Sequence, residues 1–332
     1  METRKKSRKG LWIAIVLLAM MLIFSVAINF GVLAVSLIGG KIASSASTLD
    51  KQARMQEELV SGSGKIKALR LPIEGVIMRN AGGGGLFGAE IDMVEGLKRK
   101  IKAAEKDRSI RAIILEINSP GGAVTPTDEI YHALLDFKES GKDRKIVAFV
   151  RDMSVSGSYW LSVAGDWIIA EPTSIIGSIG VILQSYNWSD LSDKIGITDT
   201  TIKSGKNKDL LNPFQKVPPE QKDLLQAVID SNFNYFKQVI VESRDITHEQ
   251  LAPLADGRIM TAQTALENDL IDEVGYYDDA VEYTREMLGV DNMRIIRYKQ
   301  RQSIFNMFAT AFVKELGSLF QARSPQLISI WK

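Results

Sequence analysis

The chain has no cysteine. That excludes disulfides, thiolate metal sites and a cysteine nucleophile together. It has only two histidines, His132 and His248. Most hydrolases use histidine as a base or as a metal ligand, so this scarcity narrows the chemistry. No sign of charge dominates either. Lys and Arg total 41 against 40 Asp and Glu, a net charge of +1, so no global field points to nucleic acid. Apolar residues make up 45% and charged residues 24%, an ordinary globular balance. A length of 332 residues suits one large domain, or two modest ones, plus an anchor.

Charge is locally absent from Gly10 to Gly40. A membrane span needs about 20 apolar residues, and this run is long enough even without Asn29 and the closing glycines. Arg4, Lys5, Lys6, Arg8 and Lys9 precede it. Positive charge marks the cytoplasmic side, so the expectation is a single-pass anchor, N-terminus inside and the body outside the cell membrane. A cleaved signal peptide with a small-residue site near Ala43 to Ala46 is the rival. Its apolar core is usually about 7–15 residues, shorter than this run. The expected divisions are a basic segment 1–9, an anchor 10–40, a linker 41–64, a catalytic body 65–297 and an apolar tail 298–332. Within the linker, Asp50 to Leu59 reads as a short helical patch before a Ser-Gly-Ser-Gly stretch.

The body alternates in pattern. Ile66 to Ile77 reads as a strand and Gly82 to Gly85 as a glycine loop. Asp92 to Glu105 has helical spacing, and Arg111 to Ile117 is a β-branched run typical of a buried strand. Thr127 to Phe137 reads as helix, Ile146 to Val150 as strand, Ser156 to Ala164 as helix and Trp167 to Ala170 as strand. Glu220 to Arg244 is a long helix. This order predicts an α/β fold with mainly parallel strands and covering helices.

Two strand-to-helix turns carry chemistry. Asn118-Ser-Pro-Gly-Gly122 follows a buried strand, and its adjacent glycines let backbone N–H groups approach a ligand. With a helix behind them they outline an oxyanion site, although a plain tight turn needs glycine as well. Met153-Ser-Val-Ser-Gly-Ser-Tyr159 also leads from strand to helix. A serine there projects its hydroxyl from the top of a sheet. Ser154 stands where a G-x-S-x-G elbow has its first glycine, and Ser154 or Ser156 also suits a helix N-cap. The base remains open. His132 and His248 suit solvated or packing roles. A desolvated lysine can replace histidine, because burial disfavours the ammonium. Thr201-Ile-Lys-Ser-Gly-Lys-Asn-Lys-Asp209 offers Lys203, Lys206 and Lys208, or is simply a basic surface loop.

From Lys65 to about Tyr277 the chain resembles the signal peptide peptidase A family of serine proteases, which has a ClpP/crotonase-like spiral fold. The matching pieces are Asn118–Gly122, Ser154–Trp160, Gly177–Val181, Ile202–Asp209 and Ala255–Gly275, in order. The resemblance implies Ser156 as nucleophile, Lys208 as general base and Ser178 as the group that orients the lysine amine. It places the oxyanion hole at the backbone N–H groups of Gly122 and Gly157. It implies no metal or organic cofactor, and short hydrophobic peptides as substrates, notably signal-peptide remnants. It also implies a homo-oligomeric ring with pockets assembled between subunits. After the nucleophile the family has Gly-Gly-Tyr-Tyr where this chain has Gly157-Ser158-Tyr159-Trp160. Thr261-Ala262 stands where the family often has Thr-Gly. The tail beyond Tyr298 is rich in Phe, Leu and Ile, and is expected to pack on the body or a neighbour, lie on the membrane, or enter the active-site groove. The rival functions are a crotonase-like acyl-CoA enzyme and a catalytically dead membrane scaffold.

Overall fold

The computed structural model describes residues 55–79 and 92–299, together with residues 18, 20–23, 25 and 26. The chain divides into two compact units, Met1–Arg54 and Met55–Lys332. In the first, the described residues are helical and exposed. Among the described residues no helix is long and apolar enough to cross a membrane. The expected glycine loop at Gly82–Gly85, most of the expected anchor and the tail beyond Lys299 lie outside the described residues.

The second unit is a mixed α/β structure built on a mostly parallel sheet. Its strands are β1 (Gln56–Gly62), β2 (Lys67–Glu74), β3 (Ile110–Ser119), β4 (Lys145–Val155), β5 (Trp167–Ala170), β6 (Ile175–Gly177), β7 (Ile259–Thr261), β8 (Glu273–Val274) and β9 (Arg294–Lys299). The main path runs β1-β9-β2-β3-β4-β5-β8, with β6 paired to β4 and β7. All pairs are parallel except β1–β9 and β6–β7.

Alternation assigns the two faces. Ile113, Leu115 and Ile117 of β3 and Ile146, Ala148 and Val150 of β4 join one core cluster. It is covered by helices α1 (Met93–Lys106), α2 (Val124–Glu139), α3 (Gly157–Ser162) and α5 (Pro219–Ser243), the short helix α4 (Ser189–Ile195) falling between the last two in the chain. Ala112, Ile114, Val147 and Phe149 point the other way, onto a smaller cluster that includes Ala280 and Leu288. Ala280 belongs to a further helix, Tyr277–Met287. Strands buried on both faces read as continuous apolar runs, which is why these segments were recognisable. Each fully buried Leu, Ile or Phe contributes about 1.5–3 kcal/mol. Trp160 anchors α3 on α5, stacked on Phe236 with ring centroids 4.8 Å apart.

One expectation is corrected. The helical patch at Asp50–Leu59 is not helical where it is described: Gln56–Gly62 is the edge strand β1. It pairs antiparallel with β9, and Arg297 Nε donates to Glu58 at 2.8 Å across that pair. Main-chain pairing with a distant strand overrides the local helical composition.

Candidate active site

Four of the five singled-out motifs converge at the carboxyl ends of β3 and β4, where open α/β sheets place ligands. Ser156 follows β4 and precedes α3. Its backbone has φ 56° and ψ −125°, a region that a residue with a Cβ avoids. Such strain costs about 1–3 kcal/mol and persists only where neighbours impose it. Here the Ser156 N–H donates to Gly177 O at 2.8 Å, and its carbonyl accepts from Trp160 N at 3.1 Å. Both anchors are main-chain, so the turn is fixed by β6 on one side and α3 on the other.

The helix-cap reading of the serines is resolved. Ser156 occupies the N-cap position, but its side chain makes no capping hydrogen bond. Ser154 is buried and its hydroxyl meets Ser162 Oγ at 2.8 Å. Ser158 is buried and bonded to main-chain atoms. Among the described residues the Ser156 hydroxyl alone of these three has no hydrogen-bond partner.

The glycine loop lies directly against this turn. A methyl group placed on Gly121 falls 2.7 Å from Gly157 N and 3.0 Å from Ser156 Cβ. One placed on Gly157 falls 2.6 Å from Thr127 Oγ1 and 3.4 Å from Gly122 N. Ile77 and Gly122 form a parallel bridge, in which Ile77 N donates to Gly121 O and Ala123 N donates to Ile77 O. That pairing leaves the Gly122 N–H directed away from Ile77. Among the described residues neither the Gly122 nor the Gly157 N–H has an acceptor. Two free main-chain donors therefore stand beside a free serine hydroxyl, the parts that acyl transfer needs for its oxyanion and its nucleophile.

The bridge gives a stability prediction. A methyl group on Gly122 falls 2.0 Å from Ile77 O and 2.6 Å from Ile77 C. These are backbone atoms and cannot swing aside. Gly122→Ala is expected to lose about 1–3 kcal/mol in chemical denaturation, and peptidase activity with it. An unchanged midpoint would remove the close approach from the account.

Ser178 lies one residue beyond the β4–β6 pairing of Val155 with Gly177, alongside Ser156. It too has positive φ, 49°, and its N–H donates to Arg258 O at 2.6 Å. The Ala255–Gly275 motif thus buttresses the Gly177–Val181 motif through β7.

Lys208 sits on an exposed stretch between β6 and α5. The sequence pointed to a dry pocket for the base; one copy of the chain leaves this lysine in solvent, and no contact brings it to Ser156. Its neighbours are engaged elsewhere. Lys203 Nζ meets Asp209 at 2.6 Å and Lys206 Nζ meets Glu220 at 2.5 Å. Among the described residues Lys208 is the one of the three with no ion pair. His132 is exposed, 3.3 Å from the Tyr235 hydroxyl, and His248, also exposed, opens the short helix His248–Leu251. No contact links either histidine to Ser156. Among the described residues no group of three His, Asp or Glu is arranged to hold a metal ion.

Sequence reasoning missed Thr127 and Ser119. Thr127 is fully buried and backs Gly157, and its hydroxyl donates to Ala123 O at 2.9 Å. Ser119 Oγ donates to Gly75 O at 2.7 Å and accepts from Gly121 N at 3.1 Å. The available signal for Ser119 was its place inside the glycine loop.

A strained serine turn beside paired main-chain donors, at the carboxyl edge of a parallel sheet, defines the serine-hydrolase class. Comparison with known proteins gives the family. Residues 137–291 match the model of peptidase family S49. A protein of Enterococcus faecium, named as a signal peptide peptidase, SppA, is 30% identical over 278 residues, covering 83% of this chain and 80% of the relative. Protease 4 of Salmonella typhi is 27% identical over 63% of this chain and 33% of its own length. The chloroplastic serine protease SPPA of Arabidopsis thaliana is 28% identical over 60% of this chain and 29% of its own. The chain belongs to peptidase family S49 and is a serine peptidase.

Proposed function

We propose that this chain is a membrane-anchored endopeptidase that cleaves short hydrophobic peptides, signal-peptide remnants among them, with a Ser156–Lys208 dyad in a ClpP/crotonase-like spiral. The observation that carries the reading is the free Ser156 hydroxyl on a strained turn beside the free N–H groups of Gly122 and Gly157. Lys208, as the neutral amine, takes the Ser156 proton while Oγ attacks the peptide carbonyl. The two glycine N–H groups receive the oxyanion. Lys208 then protonates the leaving amine, and water releases the acyl group through the same base. Ser178, beside Ser156 in register, holds the lysine amine. The chemistry proceeds through side chains and backbone alone.

Burial of Lys208 is assigned to neighbouring copies. The stretch around it exposes apolar side chains that a monomer has no reason to carry: Ile182 is 86% and Ile202 97% exposed, with Trp188, Ile195 and Ile197 at 50% or more. Patches of this kind mark interfaces. A homo-oligomeric ring covers them and dries the base. Sedimentation of the full chain in detergent is expected to give a multiple of its 36.8 kDa mass. Ile182→Asp with Ile202→Asp is expected to yield a smaller species with at least tenfold lower activity. A fully active monomer would sink the ring. Helical residues Leu18, Met20, Met21, Leu22, Ile23 and Val26 are all exposed and apolar, in keeping with an anchor through 10–40 and an extracytoplasmic body. The overall test is hydrolysis of hydrophobic peptides by the full chain against its Ser156→Ala variant. A protein that binds such peptides without cleaving them would be the scaffold instead.

A further inference from the structure

Strands β3 and β4 part before they reach the site. Their register runs evenly from Ala112–Lys145 to Ile117–Val150, then shifts, so that Ser119 pairs with Ser154. Two steps along β3 therefore match four along β4, and Arg151, Asp152 and Met153 bulge out of the ladder. Bulges of this sort re-aim the chain beside functional sites and interrupt its main-chain pairing. The glycine loop and the Ser156 turn both lie beyond this break. The ladder holds them together less firmly there than anywhere else along the two strands.

Two side-chain links span the gap: at its exposed edge Asn118 Nδ2 donates to Asp152 Oδ2, and inside it the buried Ser158 bridges the two turns. Ser158 is 0% exposed, the second residue of α3. Its Oγ accepts from Val155 N at 2.8 Å and donates to Ser119 O at 2.6 Å, with Val155 O at 2.8 Å as the other acceptor in reach. Ser119 in turn ties Gly121 N and Gly75 O through its own hydroxyl. The hydroxyl of Ser158 is thus the side-chain link from the residue before the nucleophile to the residue before Pro120-Gly121-Gly122.

We propose that Ser158 is a positioning residue that sets the spacing between the Gly122 and Gly157 N–H groups, and so tunes the oxyanion hole. It rests on the reading of Ser156 as nucleophile. An oxyanion receives its stabilisation only from donors already held at the right separation, and a misplacement of about 1 Å can cost about 100-fold in rate. Ser158 touches no reacting atom. Its effect is confined to the transition state, where the carbonyl oxygen carries charge, and is absent from ground-state peptide binding.

The experiment compares wild type, Ser158→Ala and Ser158→Gly on one hydrophobic peptide. Thermal melts confirm that each variant is folded, and the Gly variant adds no methyl group to the buried site. Both are expected to lose about 10–100-fold in kcat with KM within about threefold. A peptide aldehyde, which forms a tetrahedral adduct on the serine, is expected to weaken by the same factor. Peptide affinity measured in the Ser156→Ala background is expected to stay put when Ser158→Ala is added. Loss confined to KM, or a folded Ser158→Ala with wild-type kcat and aldehyde affinity, would overturn the proposal. Failure of the underlying reading looks different: Ser156→Ala would then cleave as well as wild type.

Discussion

Ser156→Ala is expected to lower kcat/KM for a hydrophobic peptide by about 10⁴-fold or more while leaving the fold intact. The size follows from the chemistry. Removing the nucleophile of an acyl-transfer site eliminates the covalent route, and only the oxyanion donors and binding remain. The intact fold follows from the structure. Ser156 Oγ has no hydrogen-bond partner among the described residues, and its contacts to Gly177 and Trp160 are main-chain and survive the substitution. Stability is expected to change little, because alanine at φ 56° carries the same Cβ strain as serine. Steady-state hydrolysis with a paired thermal melt checks both halves. A serine that merely capped α3 would give the reverse, a lower melting temperature with activity retained.

The second large effect separates three lysines. Lys208→Ala is expected to cut kcat by about 10²–10⁴-fold, the range of a lost general base. Lys203→Ala and Lys206→Ala are expected to stay within about fivefold. Both carry their ammonium against a carboxylate, Asp209 and Glu220, and their exposed ion pairs contribute little to stability. Lys208→Arg is expected to be as poor as alanine, since guanidinium does not give up its proton. Wild-type rates from Lys208→Ala, or a collapse from Lys203→Ala alone, would move the base. Because the ring is proposed to bury Lys208, sedimentation of each variant is read beside its kinetics, so that a lost base is distinguished from a lost assembly.

The parts of the fold that were legible are those whose signal is local. Ile113 to Leu115 and Ile146 to Val150 are apolar on both faces, which marks buried parallel strands. The Asn118–Gly122 and Ser154–Tyr159 turns announced themselves through glycine and serine after such strands. β1 did not, because Gln-Glu-Glu-Leu-Val-Ser-Gly is an exposed edge held by β9, more than two hundred residues away. Ile182, Ile195, Ile197 and Ile202 are surface in one copy, which their apolar chemistry alone does not announce. Ser158 looked like a simple departure from a glycine. Its meaning lies in Ser119 O at 2.6 Å, a partner that spacing along the chain does not reveal. Lys208 was singled out by resemblance; among the described residues it differs from Lys203 and Lys206 in having no ion pair.

A direct chemical test shows whether Ser156 carries the acyl group. The full chain is incubated with a fluorophosphonate, which bonds covalently to an activated serine, then digested and mapped by mass spectrometry. One adduct is expected, on the peptide containing Ser156, with labelling slowed in Lys208→Ala and absent in Ser156→Ala. An adduct on Ser154, Ser158 or any other residue, or an active protease that takes no label at Ser156, would contradict that role for Ser156.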